Sequence, residues 1–445
     1  MEPITLSGET SMIAVIGAGV SGLSCAWWLR RLGAESVRVY EAEARCGGKV
    51  KTVRHAGALV EAGPNTLLAD DDLLAWLREL DLTPVLPPKD AQRRFVLRQG
   101  RYRLLPDGPR SLLLGDYFSA AAKWSLLRGV AGRHAPPPAG ETLAAYVRRR
   151  FGAEWLDKAV DPFVGGVFAG DPEEMLLEEA LPRLAARERE PGSLLAGIWR
   201  AARGGQLRRK RACTLQDGLE SLPRRLARDV DVRLEQAVRA LRRDAAGWLL
   251  YTDRGVTRAS QVVLALPADA AAALLAHEAP ELSAACRQVP YAPMAVVASV
   301  VPAEALPRAL DGFGGLNPAS EQVFALGHLM VGRLYPHCCP PGSALLTSFV
   351  GGRRQAGLAA LDDAELLSRL NPELERHFGL QAAARQTVMR WPRAIPQATA
   401  ALAEVRRALA PWPERGLHVC ANWLDGVSLP DCLAKGKRLA ERLAA

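Results

Sequence analysis

The sequence lacks several features that would point to common classes of protein. It contains no apolar run of about 18 residues or more, so we expect no membrane-spanning helix. Its N-terminal segment has no basic stretch followed by an apolar one, so we expect no secretory signal and a cytoplasmic location. No basic stripe with interleaved aromatic residues is present, and nucleic acid is therefore not an expected partner.

Metal-binding patterns are also missing. The eight cysteines form no C-x-x-C pair and show no spacing typical of Cys/His ligand sets. We therefore expect reduced thiols and no metal site.

The composition is that of an ordinary globular protein. The chain has 445 residues, of which 49% are hydrophobic and 24% are charged, and this length predicts at least two structural domains. The net charge of +9 comes mainly from scattered arginines, and it favours contact with anionic lipid or with a polyanionic substrate.

A strand-helix-strand pattern opens the region of clear periodicity. The apolar spacing predicts a strand at residues 12–16, a helix at 20–33 and a second strand at 36–41. Three glycines, Gly17, Gly19 and Gly22, form G-x-G-x-x-G between the first strand and the helix. The spacing is typical of a dinucleotide site. The first glycine permits the tight turn, the second lets backbone approach a pyrophosphate, and the third lets helix and strand pack closely.

The end of the second strand adds to this pattern. Glu41 ends that strand and would accept hydrogen bonds from a ribose. The following run, "EAEARCGGKVKT", adds a second glycine pair, Gly47 and Gly48. This run resembles the R-x-G-G-R segment of the FAD-binding amine oxidase superfamily, with Lys49 where arginine is more usual. The resemblance implies FAD, whereas NAD(P), the alternative, would leave the glycine pair without a role.

The rest of the chain resembles the oxygen-dependent protoporphyrinogen oxidases and their coproporphyrinogen-oxidising relatives. Six segments match in order: "EAGPNTLL", "RRFVLRQGRYRLLPDGP", "GGVFAGDPEEM", "LLTSFVGG", "RWPRAIPQ" and "GVSLPDCLAKGKRLAERL". The implied fold is α/β, with a Rossmann-like GR2-type FAD-binding domain, a mixed-sheet substrate domain and an inserted helical region. We assign the FAD-binding domain to 1–87, 205–275 and 386–445, the substrate domain to 276–385 and the helical region to 88–204.

The resemblance also implies a set of cofactor-binding residues. The expected FAD contacts are Gly17, Ala18, Gly19, Ser21, Gly22, Glu41, Ala42, Gly48, Lys49, Gly63, Pro64, Asn65, Thr66, Val238, Trp391, Val427, Ser428 and Leu429.

Four further residues are expected to bind the substrate. Arg94 matches an arginine that pairs with a propionate in the family, since a guanidinium can bind a carboxylate in a bidentate fork. Gly166 would offer its carbonyl to pyrrole N–H groups, and Leu316 and Tyr335 would sandwich the ring. The implied reaction is FAD-dependent oxidation of a porphyrinogen to a porphyrin with O2 as acceptor, in haem biosynthesis. No residue is assigned as a catalytic acid or base, because the flavin carries the difficult step.

Two departures from the family pattern leave alternatives open. Ala398 follows "AIPQ", where a tyrosine is usual, and Ala421 replaces a common glycine before the final helix. A flavin- or porphyrin-binding paralogue with little catalysis, or another flavin oxidase of the superfamily, therefore remains an alternative. Protoporphyrinogen IX is the favoured substrate and coproporphyrinogen III the second.

The segment at 111–132, "SLLLGDYFSAAAKWSLLRGVAG", has the apolar content and flanking basic residues of a peripheral membrane contact. An amphipathic helix that faces the core would show the same pattern. We expect contact with the inner face of the membrane, and a homodimer as a further hypothesis.

Overall fold

The computed structural model describes residues 12–132, 135–190, 210–381 and 384–445. Its strands, in chain order, are β1 (Ile13–Ile16), β2 (Val37–Tyr40), β3 (Thr52–His55), β4 (Ala58–Glu61), β5 (Leu67–Ala69), β6 (Pro84–Val85), β7 (Arg94–Arg98), β8 (Arg101–Leu104), β9 (Arg211–Leu215), β10 (Asp231–Arg233), β11 (Val238–Asp244), β12 (Gly247–Thr252), β13 (Gly255–Ala259), β14 (Gln261–Leu264), β15 (Tyr291–Pro302), β16 (Gly314–Leu316), β17 (Ala325–Leu329), β18 (Ser343–Gly351), β19 (Arg385–Pro396) and β20 (Leu417–Val419).

The helices, in chain order, are α1 (Val20–Arg31), α2 (Asp71–Glu79), α3 (Pro109–Leu114), α4 (Ala120–Ala131), α5 (Leu143–Phe151), α6 (Ala153–Trp155), α7 (Asp161–Phe168), α8 (Leu177–Ala180), α9 (Pro182–Arg189), α10 (Ser221–Ala227), α11 (Ala268–Leu275), α12 (Pro280–Arg287), α13 (Val331–Leu334), α14 (Asp363–Phe378), α15 (Ala401–Leu409) and α16 (Leu429–Ala444). A π-helical turn, Leu156–Val160, joins α6 to α7.

A five-stranded parallel sheet forms the first lobe, in the order β10-β2-β1-β14-β20. The four residues of β1 are all buried, as expected for a central strand covered on both faces. The predicted strand-helix-strand unit is confirmed, because β1, α1 and β2 follow the predicted ranges to within two residues.

The helices α1 and α16 pack side by side on this sheet. The Ser24 hydroxyl donates to the carbonyl of Leu433 over 2.9 Å. A Cβ on Gly436 would lie 2.7 Å from the Cys25 nitrogen, so only glycine permits this approach of the two helices. The final helix therefore completes the lobe that the first strand begins.

A seven-stranded mixed sheet forms the second lobe, in the order β19-β15-β18-β17-β16-β7-β8. The pair β16 and β7 is parallel, and the other neighbours are antiparallel. This sheet takes strands from all three of the predicted segments, since β7 and β8 fall within 88–204 and β19 within 386–445 apart from its first residue. The domain limits remain a prediction, and the proposed boundary at 204/205 lies outside the described residues.

One face of this sheet is covered by α14 through a buried polar cluster. The Glu373 carboxylate accepts hydrogen bonds from the backbone nitrogens of Phe324 (2.6 Å) and Ala325 (3.2 Å) and lies 3.3 Å from His328 Nε2. His328 Nδ1 in turn lies 2.9 Å from the Ser348 hydroxyl. Burial opposes ionisation of Glu373, but His328 and the two N–H groups outweigh it and lower its pKa. The cluster fixes α14 to β17 and β18, and it leaves the opposite face of the sheet for the site.

The segment at 111–132 forms two helices, α3 and α4, instead of one. The Ser119 hydroxyl accepts from the Ala122 nitrogen and starts the second helix. Leu114 is 77% exposed and Trp124 is 63% exposed, so part of this apolar surface faces away from the core. Among the described helices, none combines the length and apolar character that a bilayer crossing requires.

Candidate functional site: a dinucleotide cradle beside an apolar chamber

The first glycine turn is shaped by close contacts between backbone segments. Gly17 has φ +109°, and a Cβ there would lie 2.8 Å from the Ala265 carbonyl oxygen. A Cβ on Gly22 would lie 2.1 Å from the Gly17 carbonyl oxygen. A Cβ on Gly19, by contrast, would meet no atom within 4 Å. Gly19 therefore borders open space at the N-terminus of α1, where unpaired backbone N–H groups favour an anion.

Glu41 supports this turn from the neighbouring strand. Its two carboxylate oxygens accept hydrogen bonds from the backbone nitrogens of Ala18 (2.8 Å) and Glu43 (3.0 Å). The next residue, Ala42, is exposed at the rim. The acid therefore fixes the shape of the cradle, and its role toward a ribose remains a prediction.

The second glycine turn rests directly on the first. Gly47 donates from its backbone nitrogen to the Ala18 carbonyl over 2.8 Å. Gly48 has φ +55°, and a Cβ there would lie 3.4 Å from the Gly19 Cα. This contact explains why the glycine pair follows the acid so closely, because both turns border the same space.

Lys49 extends from this second turn into the interior. Its Nζ is buried and has no hydrogen-bond partner within the described chain, and it lies 4.9 Å from the centroid of the Tyr291 ring. Burial lowers the pKa of Lys49 to about 8, against the opposing effects of Cys432 and Asp269. A buried amine without an anion is a feature expected of a site that binds an anionic ligand.

The loop Gly63–Thr66 forms the next wall of the cradle. A Cβ on Gly63 would lie 2.0 Å from the Lys49 carbonyl oxygen, so only glycine fits. Asn65 Nδ2 donates to the Gly63 carbonyl over 3.0 Å, while Asn65 Oδ1 is buried with no partner in the described chain. Trp391 Nε1 donates to the Ala62 carbonyl over 2.6 Å and thus joins the second lobe to this loop. Pro64 and Thr66 are half-buried at the same wall.

Glu61, directly before this loop, is a second buried titratable group. Burial raises its pKa to about 7, although its oxygens accept from the Leu219 nitrogen (2.7 Å) and the Thr52 hydroxyl (2.9 Å). Both oxygens are bound within the protein, so Glu61 acts as a support for the loop.

Two further cofactor predictions lie at the edges of the cradle. Val238 begins β11, just after Gln236, whose nitrogen donates to the Glu41 carbonyl over 2.8 Å. This contact places Val238 near Glu41 at the edge of the cradle, and its contact with the cofactor remains a prediction. Ala18, Ser21 and Gly22 lie on the first glycine turn or the first turn of α1, as their spacing predicts.

A second helix N-terminus adjoins the cradle. Ser428 caps α16 in a capping box with Asp431, and Val427 and Leu429 flank it. Because α16 packs on α1, the positive ends of two helices are brought to one region.

The two departures from the family pattern are accommodated by local packing. Ala421 is buried, and its carbonyl accepts from Lys435 Nζ over 2.6 Å. Ala398 packs in the core of the helical region, and its carbonyl accepts from the Leu176 nitrogen over 2.8 Å.

A row of apolar residues lies on the face of the seven-stranded sheet opposite α14, and we call the region that this row borders the apolar chamber. Directly paired residues project from the same face, and the register forms one row across five strands: Leu316, Gly327, Phe349, Val296 and Met389. Met294 pairs with Trp391 two residues further along the same face. Ala169, Leu326 and Ile395 pack with this group. The chamber therefore adjoins the cofactor loop at Trp391.

Three of the four predicted substrate residues meet at one end of this row. Gly166, on α7, is so near Leu316 that a Cβ would lie 2.3 Å from the Leu316 Cδ2. Val96 pairs with Leu316, and Arg94 lies two residues earlier on the same face of β7. The Arg94 side chain is exposed and lies 5.3 Å from the Phe313 ring centroid. An arginine at the rim and an apolar interior together suit a flat molecule with a carboxylate at its edge.

Tyr335 is placed differently. It is 1% exposed and packs in a core cluster with Ala58, Val60 and Leu345. Core packing alone accounts for this position, although its hydroxyl is buried with no partner in the described chain.

Phe349 was not among the predicted residues, although it occurs in the quoted segment "LLTSFVGG". Only the register with β15 and β17 shows that it faces the chamber.

The comparisons agree with this geometry. The family model for flavin-containing amine oxidoreductases matches residues 20–444. The chain belongs to the flavin-containing amine oxidoreductase family. The predicted fold and the FAD cofactor are thereby confirmed, and the glycine turns, the buried Lys49 amine and the two helix ends fit such a cofactor.

Individual relatives are similar over nearly the whole chain. The chloroplastic protoporphyrinogen oxidase of Oryza sativa is 30% identical, covering 97% of this chain and 87% of the relative. The protoporphyrinogen oxidase of Bos taurus is 30% identical, covering 97% and 98%. The coproporphyrinogen III oxidase of Bacillus subtilis is 26% identical, covering 97% of each.

Solved structures show the same fold. A crystal structure from an Exiguobacterium species, provisionally named as a protoporphyrinogen oxidase, has a TM-score of 0.82 at 25% identity and covers 98% of this chain and 99% of that one. A putrescine oxidase variant has a TM-score of 0.72 at 17% identity and covers the same shares.

Proposed function

We propose that this flavoprotein oxidises a porphyrinogen to the porphyrin, with O2 as the final acceptor. The observation that carries the proposal is the apolar row from Leu316 to Met389, bordered by Arg94 at its rim and by the cofactor loop at Trp391. The similarity to protoporphyrinogen and coproporphyrinogen III oxidases supports the same substrate class.

FAD, when bound, supplies the acceptor for the hydride that leaves a meso carbon of the substrate. The chain's own contribution is binding and orientation. Arg94 would bind a propionate at the rim, and the apolar row would exclude water from the ring.

Gly166 would hold the pyrrole N–H groups through its carbonyl. It lies in the last turn of α7, where carbonyls lack partners within the helix. The Gly170 nitrogen, which would bond to Gly166 in a continued helix, donates instead to the Val164 carbonyl over 3.4 Å. Among the described residues, the turn that would have continued the helix therefore leaves the Gly166 carbonyl available to a ligand.

Protoporphyrinogen IX is the favoured substrate. It carries vinyl groups where coproporphyrinogen III carries two more propionates, and the residues of the row are apolar.

Purified FAD-loaded protein should produce red porphyrin fluorescence in air faster than a control without enzyme. Parallel assays with both porphyrinogens decide between them. Flat traces with both would contradict the proposed function and favour a paralogue with little catalysis.

We also propose peripheral contact of α3 and α4 with an anionic membrane, at its inner face. The exposed apolar side chains are Leu113, Leu114, Trp124 and Leu127, and Lys123 and Arg128 lie on the same segment. Anionic vesicles should sediment the protein, and Trp124→Ser should release it. Leu68→Ser, at an exposed leucine of β5, is the matched control.

Homodimerisation is a separate hypothesis, and sedimentation equilibrium distinguishes a mass of 48.0 kDa from twice that value.

A further inference from the structure

Lys49 is held in place by backbone contacts on both sides. Gly48, the residue before Lys49, adjoins Gly19 of the first turn. The Lys49 carbonyl oxygen lies so close to Gly63 that a Cβ there would be 2.0 Å away. The side chain leaves this fixed backbone and reaches the face of Tyr291. Its position is therefore determined before any ligand binds.

The groups around the Lys49 amine do not neutralise it. Four elements bring titratable or charged groups near it: Tyr291 on β15, Asp269 on α11, Arg393 on β19 and Cys432 on α16. Asp269 is the sole carboxylate among them, and its Oδ2 forms an ion pair with Arg393 over 2.6 Å. Its Oδ1 is buried with no hydrogen-bond partner in the described chain and forms no ion pair with Lys49. No ion pair or hydrogen bond reaches Lys49 Nζ in the described chain.

We propose that Lys49 takes up a proton when the chain binds FAD, so that the affinity for FAD falls as the solution becomes alkaline. The cofactor brings its negatively charged pyrophosphate to the glycine turns that Gly48 adjoins, next to a buried amine that has no ion pair within the described residues. A nearby negative charge favours the ammonium form, and the ammonium ion in turn favours the bound cofactor.

The choice of lysine over arginine is what creates this dependence. A guanidinium keeps its charge at any pH that the protein tolerates, whereas a buried amine can lose its proton. The same cradle with arginine would bind FAD without a change in protonation. The inference rests on FAD as the cofactor and not on the identity of the substrate.

The size of the effect follows from the pKa of about 8 in the ligand-free site. Below this pH the amine is already protonated and the affinity is constant. Above it the affinity for FAD falls about tenfold with each further pH unit, so the dissociation constant should rise about tenfold between pH 7 and pH 9.

Equilibrium dialysis of the holoprotein across this pH range, with free FAD measured by fluorescence, tests the proposal. Wild type should show the tenfold rise, and Lys49→Arg should show a flat profile. Lys49→Met should bind FAD weakly at every pH. Lys51→Met, at an exposed lysine two residues away, should retain the wild-type profile.

A wild-type dissociation constant that does not change with pH would overturn the proposal. An unchanged pH dependence in Lys49→Arg would also overturn it, because the titration would then belong to another group such as Glu61.

Calorimetry of FAD binding to wild type in two buffers of different ionisation heat needs no variant. Proton uptake at pH 9 that vanishes at pH 7 supports the proposal, and no uptake at either pH refutes it. None of these measurements uses a porphyrinogen, so they stand apart from the test of the proposed function.

Discussion

Adjacent glycines on α7 offer a controlled test of the substrate chamber. A Cβ on Gly166 would lie 2.3 Å from the Leu316 side chain, whereas a Cβ on Gly165 would meet no atom within 4 Å. Either substitution replaces glycine with alanine in the same helix, so the higher helix propensity of alanine stabilises both variants equally, by up to about 1 kcal/mol. Any difference between the two variants therefore reports the contact with Leu316.

The contact sets the size of the expected difference. Leu316 Cδ2 must move by more than 1 Å to restore an ordinary separation from the new methyl group. It is the end of a flexible, half-buried side chain, so this movement costs little free energy of folding. Displaced into the chamber, Leu316 would narrow the space for the ring. A loss of about 1–2 kcal/mol in transition-state binding would lower kcat/KM by roughly fivefold to thirtyfold.

Steady-state porphyrin formation and thermal unfolding measure the two effects. Gly166→Ala should have a lower kcat/KM than Gly165→Ala, with a similar Tm and the same FAD content. Equal kcat/KM values for the two variants would refute the placement of Gly166 against Leu316 at the edge of the chamber.

Three other predictions follow from single contacts. Arg94→Ala should raise KM about tenfold or more with little change in Tm, because the side chain is exposed; an unchanged KM would remove Arg94 from the site. Glu373→Gln should reduce the dependence of stability on pH in acid, where stability is the free energy of unfolding measured in urea. Because the pKa of Glu373 is lowered, its contribution to the free energy of unfolding is present above the ordinary carboxyl pKa and is lost as the pH falls through the lowered value. An unchanged pH dependence in the variant would contradict the role of His328. Trp391→Phe should lose the hydrogen bond to Ala62, destabilise the fold by about 1 kcal/mol and release FAD more readily, measured by flavin fluorescence; unchanged FAD retention would contradict the link between the lobes.

The local elements of the cofactor site could be predicted from the sequence. The first glycine turn, the acid at Glu41 and the second glycine turn are close in the chain, and each has a spacing with a direct physical meaning. The final helix begins at Leu429, where Ser428 and Asp431 cap each other and set its start.

The substrate chamber was less accessible to prediction. Its wall depends on the register between strands that are far apart in the chain, and no local pattern specifies that register. Tyr335 and Phe349 both occur in strand-rich segments with aromatic residues, yet one is in the core and the other borders the chamber. The division of 111–132 into α3 and α4 likewise depends on the cap at Ser119, which an apolar pattern alone does not reveal.

The packing of α16 on α1 has a consequence for the time at which the cofactor can bind during synthesis. The ribosome releases the first glycine turn early, but its neighbours β14, β20 and α16 are made much later. Until residues 417–444 emerge, the side of α1 that packs on α16 has no partner and one of the two helix ends at the cradle does not exist. Nascent chains arrested before β20 should therefore recruit chaperones and no FAD.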